Sequence, residues 1–136
     1  MSIADTLGQL ALFADLTPTQ LEAVAHSHEE DVFAEGERVL RRGLSGGNFY
    51  VILEGEAAVE IDGQERHRLA RGDFFGEISA LLGDPPVADI VAARDLHCAI
   101  IPGPALEQFM VGHPQVMFRM LQSEARKLRT ATRWRS

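Results

Sequence analysis

The sequence predicts a mainly β domain with helices at both ends. From Asp31 to about Ile101, short apolar-rich segments alternate with glycine-containing turns, which is typical of closely spaced strands. Both ends instead carry apolar residues at helical spacing behind helix-start residues. Strands this short and close favour a barrel or sandwich over a parallel α/β sheet. A chain of 136 residues is long enough for one domain with a substantial core.

Two helices are predicted before the strands. Residues 3–13 form a short apolar-rich candidate. The second begins after Thr17, which can cap it, because Pro18 suits the first helical position and Gln20 can return a hydrogen bond to the cap. This helix is expected to end near His26.

Strands are predicted over seven segments of the middle region. Asp62-Gly63 has the chemistry of a tight hairpin turn and joins two of them. The predicted strands cover residues 32–33, 38–41, 49–53, 57–61, 65–69, 89–93 and 96–101.

Two further helices are predicted at the end of the chain. Residues 104–111 form the first, which Gly112 ends, and Pro114 starts a longer one. Along one face of the longer helix lie Met117, Leu121, Ala125 and Leu128. This face predicts either a homodimer seam or packing back onto the strands, and the sequence leaves both open.

Charge and composition limit the partners. The net charge of −7 should repel nucleic acid on average, so a nucleic-acid partner is not expected. The basic run at residues 126–135 suits a helix C-terminus, or contact with a nucleic acid or another acidic partner. No apolar run is long enough to span a membrane, and no leader is evident, which predicts a cytoplasmic protein. The single cysteine, Cys98, excludes an intramolecular disulfide, and its strand position predicts a buried thiol.

Residues 72–91 carry the strongest chemical signal. Gly76 allows the backbone to come close to a neighbouring group. The N–H groups of Ile78, Ser79 and Ala80 would open a short helix, where unpaired donors suit an anionic ligand. Glu77 beside them is an acceptor for a hydroxyl such as that of a sugar.

Residues 72–82, Gly-Asp-Phe-Phe-Gly-Glu-Ile-Ser-Ala-Leu-Leu, resemble the phosphate-binding cassette of the cyclic nucleotide-binding domain family. That family is known from catabolite activator proteins, protein kinase A regulatory subunits and cyclic nucleotide-gated channels. Residues 39–43 and 49–55 upstream, with Phe109 and Pro114 downstream, follow the family order. The resemblance implies a double-stranded β-helix (a jelly-roll-like β-roll) with N-terminal helices and two C-terminal helices. It divides a single domain, 1–136, into a helical region over residues 1–28, a β-roll over residues 29–102 and closing helices over residues 103–133.

The resemblance also implies a ligand site. In the family the cassette glutamate holds the ribose 2′-hydroxyl, backbone N–H groups hold the cyclic phosphate, and an Arg-Ala-Ala-Thr segment completes the phosphate contacts. Here that segment falls on Pro86-Val87-Ala88-Asp89. The expected site residues are Phe75, Gly76, Glu77, Ile78, Ser79, Pro86, Val87, Ala88 and Asp89.

Pro86 changes the chemistry expected of that site. Proline supplies neither a charge nor an N–H, and Asp89 adds a carboxylate where a hydroxyl donor is expected. A hydrogen bond to a charged group contributes about 1.5–3 kcal/mol, so its loss implies roughly 10- to 150-fold weaker phosphate binding. Arg68 or Arg71 could substitute for the missing arginine, and Trp134 could cap a bound base.

Three functions follow from these residues and this resemblance. The first is a sensor domain with weakened or lost cAMP and cGMP binding, which takes another nucleotide-like ligand or a protein partner. The second is a working cAMP or cGMP sensor with a substitute arginine. The third is a fragment or relative of a catabolite-activator-type regulator. The five histidines lack metal-ligand spacing, and no nucleophile triad or phosphate loop is present, so neither metal, cofactor nor enzyme activity is expected.

Overall fold

The computed structural model describes the backbone of residues 2–44 and 47–135, and side chains as far as Thr132. Helices α1 (Ile3–Gly8) and α2 (Pro18–Ser27) flank a 3-10 turn (Ala11–Phe13), and α3 (Glu77–Leu82), α4 (Gly103–Gly112) and α5 (Pro114–Arg135) follow later in the chain. The strands are β1 (Glu29–Phe33), β2 (Arg38–Leu40), β3 (Phe49–Glu54), β4 (Glu56–Ile61), β5 (Gln64–Ala70), β6 (Phe74–Phe75), β7 (Asp89–Ala92) and β8 (Leu96–Ile101).

The eight strands form two antiparallel sheets. One sheet has the order β1-β8-β3-β6, and the other has the order β2-β7-β4-β5. The chain crosses from one sheet to the other between most consecutive strands, so strands distant in sequence become neighbours. Tyr50 on β3 lies opposite Ile100 on β8, for example, and Ala58 on β4 lies opposite Val91 on β7. The predicted β-roll with flanking helices is confirmed.

Strand β3 lies between two hydrophobic cores. Phe49, Val51 and Leu53 pack with the helices, whereas Tyr50 and Ile52 face the second sheet. Because both faces of the strand are covered, its first five residues are all buried and apolar or aromatic, and only the final Glu54 is exposed. The helical core also includes Leu7, Phe13, Val24, Leu106, Val116 and Met120.

The predicted start of α2 is confirmed. Thr17 Oγ1 accepts a hydrogen bond from the Gln20 N–H at 3.2 Å, and Gln20 Oε1 accepts one from the Thr17 N–H at 2.9 Å. The first helix is shorter than predicted, because α1 ends at Gly8 and Leu10 is extended. After this break, Leu12 and Phe13 lie in the 3-10 turn and pack into the helical core.

Strand β6 has only two residues and was not predicted. It pairs with β3 through Phe75 opposite Tyr50 and Phe74 opposite Val51.

Cys98 is buried as expected, and burial raises the pKa of its thiol to about 12, so the thiol stays protonated at neutral pH. None of the described helices has the length and apolar character needed to cross a membrane.

Candidate ligand-binding site

The chain turns sharply at Gly76, between β6 and α3. Gly76 has φ +85° and caps α3 at its N-terminus. A Cβ here would clash with the Asn48 carbonyl oxygen and lie 3.2 Å from Cδ1 of Tyr50. Both the backbone angle and the available space therefore require glycine. The turn places Glu77 at the first position of α3, directly after the paired strand β6.

A cavity of about 230 Å³ lies between α3 and the second sheet, close to the point where α5 passes. Its polar lining residues are Glu77, Ser79, His67 and Lys127, and most of the other lining side chains are apolar. The apolar residues of the wall include Leu40, Val59, Leu69, Phe74, Phe75, Ile78, Pro86, Val87, Ala88 and Ile90. A wall of this kind suits a ligand with an apolar or ring-shaped body and few polar groups.

Glu77 is a buried carboxylate on this wall. Its residue exposure is 7%, and its Oε2 has no hydrogen-bond partner. Burial raises the pKa of the Glu77 carboxyl above its ordinary value, and the nearby charge of Lys127 partly opposes that rise. An unpaired buried acceptor costs free energy, so a ligand hydroxyl that donates to Oε2 would be favoured here.

Lys127 on α5 also lines the cavity, and the sequence did not predict this position for it. Its Nζ is 3.9 Å from Glu77 Oε1, 3.1 Å from Glu124 Oε1 and 4.5 Å from the centre of the Phe74 ring. The Glu124–Lys127 spacing along the helix was visible in the sequence. The contact with Glu77 was not, because it depends on where α5 packs. This ammonium links the final helix to the buried carboxylate.

The start of α3 offers fewer free donors than expected. The Ala80 N–H donates to the Gly76 carbonyl at 3.1 Å, so the predicted trio of Ile78, Ser79 and Ala80 is wrong for Ala80. The N–H groups of Ile78 and Ser79 precede the first hydrogen bond inside the helix. Ser79 itself is buried and lines the cavity.

The segment opposite α3 is apolar where it meets the cavity. Pro86, Val87 and Ala88 line the wall, but Asp89 does not. The Asp89 carboxylate instead accepts hydrogen bonds from the Arg38 guanidinium and from the Arg42 N–H. Alternation along β7 explains this direction, because the cavity-lining Ile90 follows on the opposite face. The structure therefore does not bring the Asp89 carboxylate to the cavity wall.

The two candidate substitute arginines are engaged elsewhere. Arg68 donates to Glu65 Oε1 at 2.6 Å and to Glu56 Oε1 at 3.3 Å. Arg71 Nη2 donates to Gln9 Oε1 at 2.6 Å. Neither guanidinium lines the cavity, so the structure does not bring either one to the cassette. The Trp134 side chain lies outside the described region of the chain.

Metal chemistry finds no support in the described geometry. Within residues 2–44 and 47–135, no three His, Cys, Asp or Glu side chains lie together as a metal site would require. The fold and this cavity together place the chain among β-roll domains with a largely apolar pocket beside the short helix α3.

Comparison with known proteins gives the family. Residues 30–113 match the family model described as cyclic nucleotide-binding domain, and the chain belongs to that family. The cAMP-dependent protein kinase regulatory subunit of Blastocladiella emersonii is 35% identical over 121 residues, covering 85% of this chain and 30% of the relative. The chain thus spans less than a third of the length of that curated relative.

Two solved structures extend the comparison. The catabolite activator protein of Thermus thermophilus matches with a TM-score of 0.79 and 25% identity, covering 89% of this chain and 59% of that one. The regulatory subunit of a cAMP-independent protein kinase A from Trypanosoma brucei matches with a TM-score of 0.72 and 28% identity, covering 87% and 45%.

Proposed function

We propose that this chain is a non-enzymatic sensor domain whose cavity binds a hydroxyl-bearing organic ligand, with weakened affinity for cAMP and cGMP. The carrying observation is that Glu77, a buried acceptor with an unpaired Oε2, shares the cavity wall with Pro86. The glutamate keeps the chemistry of a sugar site. Pro86, at the position the family gives to arginine, offers a cyclic phosphate neither charge nor N–H.

The small number of cations that line the cavity supports a weakened affinity for cAMP and cGMP. Among the described residues, only His67 and Lys127 bring a basic side chain to its wall. Lys127 already has Glu77 and Glu124 as partners, so its charge is largely compensated. The matched trypanosome structure is described as coming from a cAMP-independent protein kinase A. A β-roll of this kind therefore need not respond to cAMP in every protein that contains it.

In this proposal, ligand binding in the cavity is communicated by a change in the contacts of α5. A ligand hydroxyl that donates to Glu77 Oε2 draws negative charge away from Oε1, which weakens the attraction of Glu77 for Lys127, so Lys127 can then move fully to Glu124. Because Lys127 belongs to α5, occupancy of the cavity changes how that helix rests on the cassette. A working cAMP sensor is the alternative, with Lys127 in the role first assigned to Arg68 or Arg71.

Calorimetric titration with cAMP and cGMP tests the proposal. We expect no micromolar binding by the wild-type protein, and at least about tenfold tighter binding by Pro86→Arg, because a charged hydrogen bond contributes about 1.5–3 kcal/mol. Pro86→Ala is the matched control, since it removes the ring without adding charge, and it should stay weak. Micromolar wild-type binding would favour the working sensor and overturn weakened affinity.

We also propose that α5 forms a homodimer seam. Among the described side chains of α5, Val116 and Met120 are buried in the helical core. The predicted face of Met117, Leu121, Ala125 and Leu128 is exposed instead, with Met117, Leu121 and Leu128 at 37%, 63% and 68%, and Phe118 at 59% lies beside it. The spacing of four, four and three residues keeps these four side chains on one side of the helix.

Sedimentation equilibrium tests this seam. Leu121→Glu combined with Leu128→Glu should shift the protein to monomer, whereas Thr130→Glu, on a different side of the same helix, should not. A wild-type protein that is monomeric at concentrations of about 100 μM, where even a weak dimer would be populated, contradicts the proposal.

A further inference from the structure

A second, basic cleft beside α5 adjoins the ligand cavity. We propose that this cleft holds the acid group of an apolar-bodied organic anion whose body fills the cavity. The inference rests on the proposed ligand-binding function and adds the chemical class of the ligand. It places the anion-binding end of the site on the final helix rather than on the cassette.

The two spaces are neighbours. The cleft has a volume of about 260 Å³ and lies between the 3-10 turn, the connection from β5 to β6, and α5. It shares four lining residues with the cavity, namely His67, Leu69, Phe74 and Lys127. The two spaces therefore adjoin each other at these four side chains, and Lys127 lies over the Phe74 ring between them.

The cleft differs from the cavity in charge. Helix α5 contributes Arg119, Arg126 and Lys127 to its lining, and Asp73 is the one carboxylate among its described lining residues. Asp73 already accepts the Ala70 N–H at 2.8 Å. The lining side chains alone therefore carry more positive than negative charge, and their attraction for a negatively charged group depends on which of the three cations is already paired.

Arg126 is the cation in the cleft that is available for a ligand. Arg119 is held by Asp15, through Nε to Oδ2 at 2.7 Å and Nη2 to Oδ1 at 3.0 Å. Lys127 is held by Glu124 at 3.1 Å. Arg126 has no acidic partner among the described residues, and its guanidinium can bind a carboxylate or sulfonate with two parallel hydrogen bonds.

The apolar wall of the cavity determines which chemistry suits the body of the ligand, the part that carries no acid group. No cation lines the cavity near Pro86 and Val87, whereas His67, Leu69, Phe74 and Lys127 border both the cavity and the basic cleft. A molecule with its charge at one edge and a ring system behind it matches this order. A compact anion without an apolar body would leave the cavity unfilled.

Two fluorescent probes of nearly the same shape test the inference. Anilinonaphthalene sulfonate carries an acid group on its rings, and phenylnaphthylamine is the same ring system without it. We expect the wild-type protein to bind the sulfonate at least about tenfold tighter, and Arg126→Gln to lose about tenfold for the sulfonate alone. Arg129→Gln, which removes an exposed charge of the same helix outside the cleft, should change neither affinity.

Variants that fill the cavity separate the two levels of the proposal. Val87→Trp, and independently Ile78→Trp, enter the cavity from exposed or half-exposed positions, and each should weaken both probes. If neither probe binds the wild-type protein, the ligand-binding function itself fails. If the filling variants weaken both probes but Arg126→Gln spares the sulfonate, the cavity is a ligand site and the acid cleft is wrong. Unchanged binding in both filling variants also overturns the inference.

Discussion

The segment from Gly76 to Pro86 differs at its two ends in how strongly the fold constrains the chain. At Gly76 the backbone angle, the contact with Asn48 and the pairing of β6 all require one shape, and that shape buries Glu77. At Pro86 the chain is apolar and the following Val87 is 59% exposed. The fold therefore constrains the shape of the chain and its buried acceptor at Gly76 more strongly than it constrains the apolar segment at Pro86. Under the proposed function, the choice of ligand depends on the Pro86 end.

The largest expected effect is at Gly76. Gly76→Ala adds a clash with the Asn48 carbonyl to an unfavourable backbone angle, and should lower the free energy of unfolding by at least about 3 kcal/mol. Gly83→Ala is the matched control, because Gly83 has φ +75° but open space around it, and should cost about 1 kcal/mol. Urea unfolding measures both. Equal losses would mean that the close approach to Asn48 does not constrain this end.

A smaller effect is expected at Asp89. Asp89→Thr removes the acceptor of Arg38 and of the Arg42 N–H, and should cost about 1 kcal/mol of stability, because the pair is partly exposed. Since Asp89 faces away from the cavity, adding this change to Pro86→Arg should not tighten cAMP binding further. Calorimetry of the single and double variants measures this. A further gain in the double variant would place Asp89 in the ligand site after all.

The smallest effect is expected at Glu77, and it depends on pH. Burial raises the pKa of its carboxyl, so the folded state holds the proton more tightly than the unfolded state does. Stability from this group is present at low pH and is lost as pH rises through the folded-state pKa. Glu77→Gln should therefore melt about 3 °C above the wild-type protein at neutral pH, with a difference that shrinks in acid. Thermal melts across this range measure it, and a difference independent of pH contradicts the burial argument.

The sequence predicted the fold well because its signals were local. Glycine turns separated the strands, and Thr17 with Gln20 marked the start of α2. Strand β6 was missed because two residues show no alternation, and its pairing with β3 comes from a distant segment of the chain. The first helix was overextended because Leu12 and Phe13 satisfy helical spacing as well as they satisfy the 3-10 turn.

The site was less predictable, since its lining includes a residue from a helix far away in sequence. Gly76 and Glu77 lie in one motif, but Lys127 reaches the cavity, and Arg126 the adjoining cleft, only through the packing of α5. The direction of Asp89 could have been predicted, because strand alternation separates it from the buried Ile90. The ion pair of Arg68 with Glu56 depends on the register of β4 and β5, which the sequence did not supply.

The contact between Arg119 and Asp15 gives α5 a fixed point near its beginning. That contact ties the helix to the end of the 3-10 turn, and the neighbouring Met120 is buried. Lys127 lies about 12 Å further along the helix axis and Arg135 about 24 Å, at 1.5 Å per residue. A rigid rod turning about Arg119 therefore doubles at its far end any displacement made at Lys127. A small displacement of α5 beside Glu77 would therefore become a larger displacement at the end of the helix, where it would alter the contacts of a neighbouring chain or domain.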